Sequence, residues 1–152
     1  MTQKAFVTAP ANAPFDAVRH AVRSVLDHLG AEYVRLEYTA TGTLAGVRGL
    51  PDIIEVCDLI VADLTGMNPF VLMEVGVALG QRKQVLILTQ SVNTARIVPN
   101  ELIYHGGRLD EAFMYRLTEA VRDALFGSTE QSQQLPIARV ASPGEIKKRA
   151  RS

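Results

Sequence analysis

The feature that most constrains the fold is the unbroken apolar run Leu59-Ile60-Val61-Ala62, closed by Asp63 and matched further on by Val85-Leu86-Ile87-Leu88. A strand with one wet face alternates apolar and polar residues. A strand that is apolar at every position is buried on both sides, as inside a parallel sheet covered by helices. Parallel strands need crossover connections, and helical periodicity lies in the right places to supply them. Phe15, Val18, Val22, Val25, Leu26 and Leu29 recur at helical spacing from Phe15 to Leu29, and Gly30 follows as a stop. Asn68 before Pro69 reads as an N-cap followed by proline at the first helical position, opening a helix that runs to about Gly80.

The rest of the chain fills in the alternation. Ala5 to Thr8 is a first strand, closed by Ala9-Pro10, and Ala31 to Leu36 a second. The stretch from Tyr38 to Gly49 is rich in Thr and Gly and reads as a loop able to fold over a ligand, with Pro51 starting a short helix through Cys57. Gln84 to Thr89 is a strand, Leu102 to Tyr104 a weaker one, and Leu109 to Phe126 a last amphipathic helix. Such an order predicts an α/β single-domain three-layer sandwich with a mostly parallel central sheet. The domain is expected to span residues 1-127. Residues 128-152 turn polar and end in a basic run from Lys147 to Arg151, which reads as a solvated tail, with a nucleic-acid or partner-binding arm as the rival reading.

Bulk properties exclude several function classes. The 152 residues carry a net charge of zero, so no overall field draws nucleic acid or an anionic membrane. No apolar run approaches the roughly 20 residues of a membrane helix. The start, Met1-Thr2-Gln3-Lys4, enters a strand at once without the pattern of a secretory signal. The single cysteine, Cys57, has no internal disulfide partner. A cytoplasmic protein is expected, with no membrane partner and nucleic acid an improbable one. His20, His28 and His105 have no acid or cysteine at ligand spacing, so no metal site is expected.

In open parallel sheets ligands bind beyond the carboxyl ends of the strands. Those ends here offer Thr8 to Asn12, Asp63 to Asn68 and Thr89 to Asn93. Glu74 is the only charged residue between Asp63 and Arg82, and its neighbours one helical turn away are Phe70, Val71, Val77 and Ala78. A carboxylate on an apolar surface is costly unless it has a partner or a task. It is therefore either a functional group or a solvent-facing or amide-capping one, and the pattern weighs both. Asp63 reads first as a strand-ending acid that bonds the next turn, and Asn68 first as an N-cap. Sharper motifs are missing. There is no Gly-rich dinucleotide turn after the first strand, no phosphate-binding loop with its lysine, and no nucleophile elbow. A receiver-type phosphorylation domain is excluded, since Thr8 to Asn12 supply no acids and Thr89-Gln90 no lysine.

Taken together, Ala62-Asp63-Leu64-Thr65-Gly66-Met67-Asn68-Pro69-Phe70-Val71-Leu72-Met73-Glu74-Val75-Gly76-Val77-Ala78 resembles the A-D-L-[ST]-x-x-N-P-N-V-x-x-E-x-G-x-A signature of the nucleoside deoxyribosyltransferase-like and TIR-like nucleotide-binding proteins. The likeness extends from about Pro51 to Thr89. It implies a flavodoxin-like, deoxyribosyltransferase-like fold and cleavage or transfer at an N-glycosidic bond of a nucleoside, nucleotide or NAD. Glu74 would attack or stabilise the anomeric carbon, and Asp63 would assist. Thr8, Ala9, Asn12, Thr65, Gly66, Asn68 and Met73 would meet the substrate. No cofactor is implied, and relatives often form homo-oligomers. The chain departs from the pattern in three ways: Phe70 replaces an asparagine, Met73 replaces a commonly aromatic residue, and the region after the second strand, where relatives often place an acid for the base, offers only Glu37. They motivate the alternative of a non-catalytic nucleotide-sensing or interaction module of the same fold.

Overall fold

The computed structural model describes residues 1–36, 43–90, 101–104 and 108–127. Five strands form one sheet: β1 (Lys4–Thr8), β2 (Glu32–Val34), β3 (Leu59–Asp63), β4 (Gln84–Thr89) and β5 (Glu101–Ile103). They lie in the order β2-β1-β3-β4-β5, and every pair is parallel. The four α-helices are α1 (Asp16–Leu29), α2 (Thr43–Glu55), α3 (Pro69–Gly80) and α4 (Glu111–Phe126). This is the flavodoxin-like α/β arrangement. Chain order reverses between β1 and β3, which opens a crevice at the carboxyl edge of the sheet.

Strand residues point alternately to the two faces, so each buried strand feeds two cores. Ala5, Val7, Leu59 and Val61 pack with Val22, Leu26, Phe113 and Leu117 of α1 and α4. Phe6, Ile60 and Ala62 pack with Leu50, Ile54, Val71 and Val75 of α2 and α3. β3 is buried along its whole length, as its continuous apolar run requires. α1 is amphipathic and ends on Gly30, whose φ of 70° is the left-handed value that glycine adopts most cheaply. α3 starts as expected. The Asn68 Oδ1 accepts from the amides of Phe70 (2.9 Å) and Val71 (3.3 Å), and Pro69 occupies the first helical position.

The expected loop from Tyr38 to Gly49 needs correction. Residues 37–42 lie outside the described residues, but α2 begins at Thr43 and carries Pro51 in its interior rather than at its start. It ends at Glu55, short of Cys57. Leu50 and Ile54 are completely buried, and burial of such side chains is worth about 1.5–3 kcal/mol each. That offsets the roughly 3 kcal/mol cost of an interior proline and about 1 kcal/mol for a glycine such as Gly49. Tertiary packing overrides the local breakers. Lys83 secures the far end, its Nζ donating to the carbonyls of Glu55 (2.5 Å) and Cys57 (2.9 Å), where a cation meets the negative end of the helix. Cys57 is buried, and burial pushes its thiol up to about 11. β2 is shorter than the sequence pattern suggests, Glu32–Val34 rather than Ala31 to Leu36, and β5 has the expected three residues but begins one residue earlier, at Glu101. The C-terminal segment 128–152 lies outside the described residues. No helix among the described residues is long and apolar enough to cross a membrane.

Candidate active site

Parallel registry aligns the strand ends that carry polar groups. Thr8 sits beside Ala62, Asp63 beside Leu88, and Thr89 beside Ile103. Among the described residues the two buried charged side chains are Asp63 and Glu74, 1% and 2% exposed. They do not share a site. Thr8 follows Phe6 in the strand alternation and faces α2 and α3, whereas Asp63 follows Val61 and faces α1 and α4. The sheet itself separates the two carboxylates.

On the α3 side, Glu74 reaches back to β1. The Thr8 hydroxyl donates to its Oε2, a buried contact between residues 66 apart in sequence. α3 brings Glu74 to this place because its cap and proline fix where the helix begins. One turn and a half later the carboxylate lies over the end of β1. Thr8 and Glu74 line a cavity of about 350 Å³, together with Ala9 and Ala11 of the loop after β1 and Asn68 and Phe70 at the start of α3. That is within the size range of small-molecule sites, roughly 300–1,000 Å³. Arg19 of α1 and Arg35 after β2 complete the polar wall. Arg19 is held in place: its guanidinium donates to the carbonyls of Pro10 (2.5 Å) and Asn12 (3.5 Å) and pairs with Asp16.

On the α4 side, Asp63 is tied into a hydrogen-bonded cluster. The Tyr104 hydroxyl donates to Oδ2, and the Thr65 amide donates to Oδ1 at 2.9 Å. Thr65 in turn accepts from the Gln90 amide at 3.0 Å, and Gln90 Nε2 donates to the Tyr104 oxygen at 3.3 Å. Burial raises the Asp63 pKa, and the bonds from Thr65 and Tyr104 partly oppose it. The Tyr104 phenol is pushed up to about 12, first by burial and then by its bond to Asp63. This cluster stitches the ends of β3, β4 and β5 together.

Of the residues the sequence singles out, the cavity therefore brings together Thr8, Ala9, Asn68 and Glu74. Asp63 and Thr65 belong to the Tyr104 cluster. Gly66 occupies an exposed turn at φ 73°, a conformational role. Met73 is partly buried against the α2–α3 core. Asn12 is exposed, and its carbonyl anchors Arg19 and the Phe15 amide. Arg19, Arg35 and Tyr104 have no place in the sequence reading. The carboxyl-edge rule, applied to β1, β3 and β4, finds Arg35 as well once it is applied to the end of β2. Among the described residues no three His, Cys, Asp or Glu side chains cluster as a metal would need.

No protein-family model and no curated protein sequence matches the chain. Solved structures do. A CMP N-glycosidase from Clostridium botulinum superposes with a TM-score of 0.56 at 17% identity, over 78% of this chain and 99% of its own. The chain shares its fold with that glycosidase. A response regulator receiver domain protein from Bacillus halodurans gives 0.51 at 17% identity, over 82% and 97%. A 2-desoxiribosyltransferase from Leishmania mexicana gives 0.47 at 17% identity, over 69% and 80%. At this identity the likeness is one of fold, and a single fold serves both glycosidic and phosphorelay proteins. Any assignment of chemistry has to come from the side chains. The end of β1 presents Thr8, Ala9 and Pro10, without the acids that a phosphorylation site gathers around its aspartate, and Asp63 is enclosed by Tyr104.

Proposed function

We propose that the chain cleaves or transfers the N-glycosidic bond of a nucleoside, nucleotide or NAD, with Glu74 acting at the anomeric carbon. The observation that carries this reading is the Glu74 carboxylate, 2% exposed yet lining a cavity at the carboxyl edge of the sheet and anchored by the Thr8 hydroxyl. Departure of the base leaves positive charge on the anomeric carbon and the ring oxygen. A carboxylate beside that carbon either stabilises the charge or attacks it to form a glycosyl ester, which water or a second base then opens. Ala9, Ala11 and Val71 give the cavity an apolar wall, and a substrate filling it would displace the water that screens the interaction. Sharing the fold of a CMP N-glycosidase is consistent with this chemistry. The signature from Asp63 to Gly76 supplies the same assignment of Glu74 by resemblance.

The test is release of free base from a panel of deoxynucleosides, nucleoside monophosphates and NAD, followed chromatographically. Glu74→Gln is expected to reduce the rate by at least about 100-fold, in line with loss of one preorganised electrostatic group. Turnover that survives Glu74→Ala removes the reading. One observation favours a second reading, a non-catalytic nucleotide-sensing module: Phe70, 48% exposed, lines the cavity where the resembling signature has asparagine. A nucleotide that binds tightly and is recovered intact would establish that alternative.

A further inference from the structure

The stretch from Ala9 to Asn12 joins β1 to a short turn, Ala13–Phe15, at the head of α1. Two of its residues, Ala9 and Ala11, line the cavity that Glu74 borders. The sequence leaves this loop short of donors. The Phe15 amide donates to the Asn12 carbonyl at 3.1 Å, but Pro10 and Pro14 have no amide hydrogen to add. Pro10 is nevertheless buried, and a buried carbonyl without a donor is costly.

Arg19 supplies donors from α1. Its Nη1 donates to the Pro10 carbonyl at 2.5 Å and its Nη2 to the Asn12 carbonyl at 3.5 Å, while Nη2 also pairs with Asp16. Ala11 lies between the two carbonyls so held. The guanidinium is rigid and planar, so one side chain fixes two points of the loop. The Arg19 side chain is 12% exposed and that of Asp16 71%. Water screens the ion pair, which makes the bond to Pro10 the firmer anchor. Two residues before Pro10 stands Thr8, whose hydroxyl donates to Glu74. The clamp therefore lies one short stretch of main chain from the group that holds the carboxylate.

Resting on the glycosidic reading above, we propose that Arg19 is a positioning residue, a clamp on the loop after β1 that acts without touching the substrate. By holding the Pro10 and Asn12 carbonyls it sets where Ala9 and Ala11 meet the ligand and where the Thr8 hydroxyl meets Glu74. Reacting groups tolerate little misplacement, so a loosened wall lowers the share of bound substrate that sits in a productive pose.

The test compares the full-length parent with Arg19→Gln, Arg19→Lys and Asp16→Asn by base release from the panel above and by amide hydrogen exchange. Arg19→Gln is expected to speed exchange between Ala9 and Phe15, leave it unchanged elsewhere, and lower kcat/KM by roughly 10- to 100-fold. Arg19→Lys, which can still donate to the Pro10 carbonyl, should recover part of both. Asp16→Asn leaves the two carbonyl bonds in place and should cost no more than about twofold. An equal loss in Asp16→Asn would put the anchor in the ion pair and overturn the clamp. Parental activity in Arg19→Gln despite a loosened loop overturns it too. So does lost activity with parental exchange, which would make Arg19 a substrate contact, and so does faster exchange throughout the chain, which would make it a general stabiliser. If the parent binds a nucleoside monophosphate but releases no base, the glycosidic reading falls and calorimetry judges the clamp. The dissociation constant should then rise roughly tenfold in Arg19→Gln, and an unchanged value overturns the clamp as well. A parent that neither binds nor cleaves any member of the panel overturns both.

Discussion

The two faces of this sheet each bury one carboxylate at the same edge, and they do so to opposite ends. On the α1–α4 face, Asp63 accepts from the Tyr104 hydroxyl and the Thr65 amide, inside a cluster that also takes in Gln90. On the α2–α3 face, Glu74 accepts from Thr8 and borders a cavity of about 350 Å³. Burial alone does not distinguish them, since their exposures differ by a single percentage point, 1% against 2%. What differs is whether the neighbours close around the group or leave room for a ligand. On the proposed reading, the acid that borders a cavity acts on a ligand, and the acid enclosed by a phenol pins the fold.

The sharpest way to break this contrast is a matched pair of isosteric changes. Glu74→Gln should cost at least about 100-fold in base release, for the reason given above. Asp63→Asn should leave the rate near that of the parent and lower stability instead. Equal rate losses in the two variants would mean that the sheet does not insulate the faces. Next in size is Tyr104→Phe. It strips a donor from a buried carboxylate, and hydrogen bonds to charged groups are worth about 1.5–3 kcal/mol. Urea unfolding should show a loss of that order, with catalysis little changed. An unaltered midpoint would show that Thr65 alone satisfies Asp63.

Much of this organisation is legible in the chain. The doubly buried strands announce themselves by unbroken apolar runs, and the Asn68-Pro69 start of α3 follows from capping chemistry alone. Glu74 stands out because its helix has no other charge. The partition of the two acids was not legible, although strand parity contains it. Thr8 and Asp63 fall on opposite faces only once the Thr8–Ala62 register is known, and register is a tertiary quantity. α2 was hidden for a different reason: Gly46, Gly49 and Pro51 carry the local marks of a loop, and only the burial of Leu50 and Ile54 outweighs them. Tyr104 lay just beyond a short strand, and nothing nearby in sequence points to its partner 41 residues away.

A smaller effect sharpens the candidate catalytic side. Thr8→Val keeps the shape of the side chain and removes the hydroxyl that holds Glu74. If Thr8 positions the carboxylate rather than touching the substrate, kcat should fall roughly tenfold, the worth of one bond to a charged group, with KM nearly unchanged. A rise in KM at constant kcat would instead make Thr8 a substrate contact. Thr8→Ser, which keeps the donor, should recover most of the rate.

The smallest expected effect is on the pH dependence of stability, and it belongs to the closed face. Burial holds the folded-state pKa of Asp63 above its ordinary value of 3.8, even against the hydrogen bonds from Thr65 and Tyr104. Between the two values the folded chain retains a proton that the unfolded chain has lost. Stability from this group is therefore greatest in acid; it declines as pH rises from about 3.8 and levels off once the folded carboxyl is also ionised. Asp63→Asn removes that dependence. The difference in unfolding free energy, parent minus variant, should fall as pH rises from the unfolded-state value and then become flat. A difference that grows with pH would mean that the Tyr104 and Thr65 bonds outweigh desolvation. Asp63 would then be a stabilised anion, and the closed face would owe its cohesion to charge rather than to the exclusion of water.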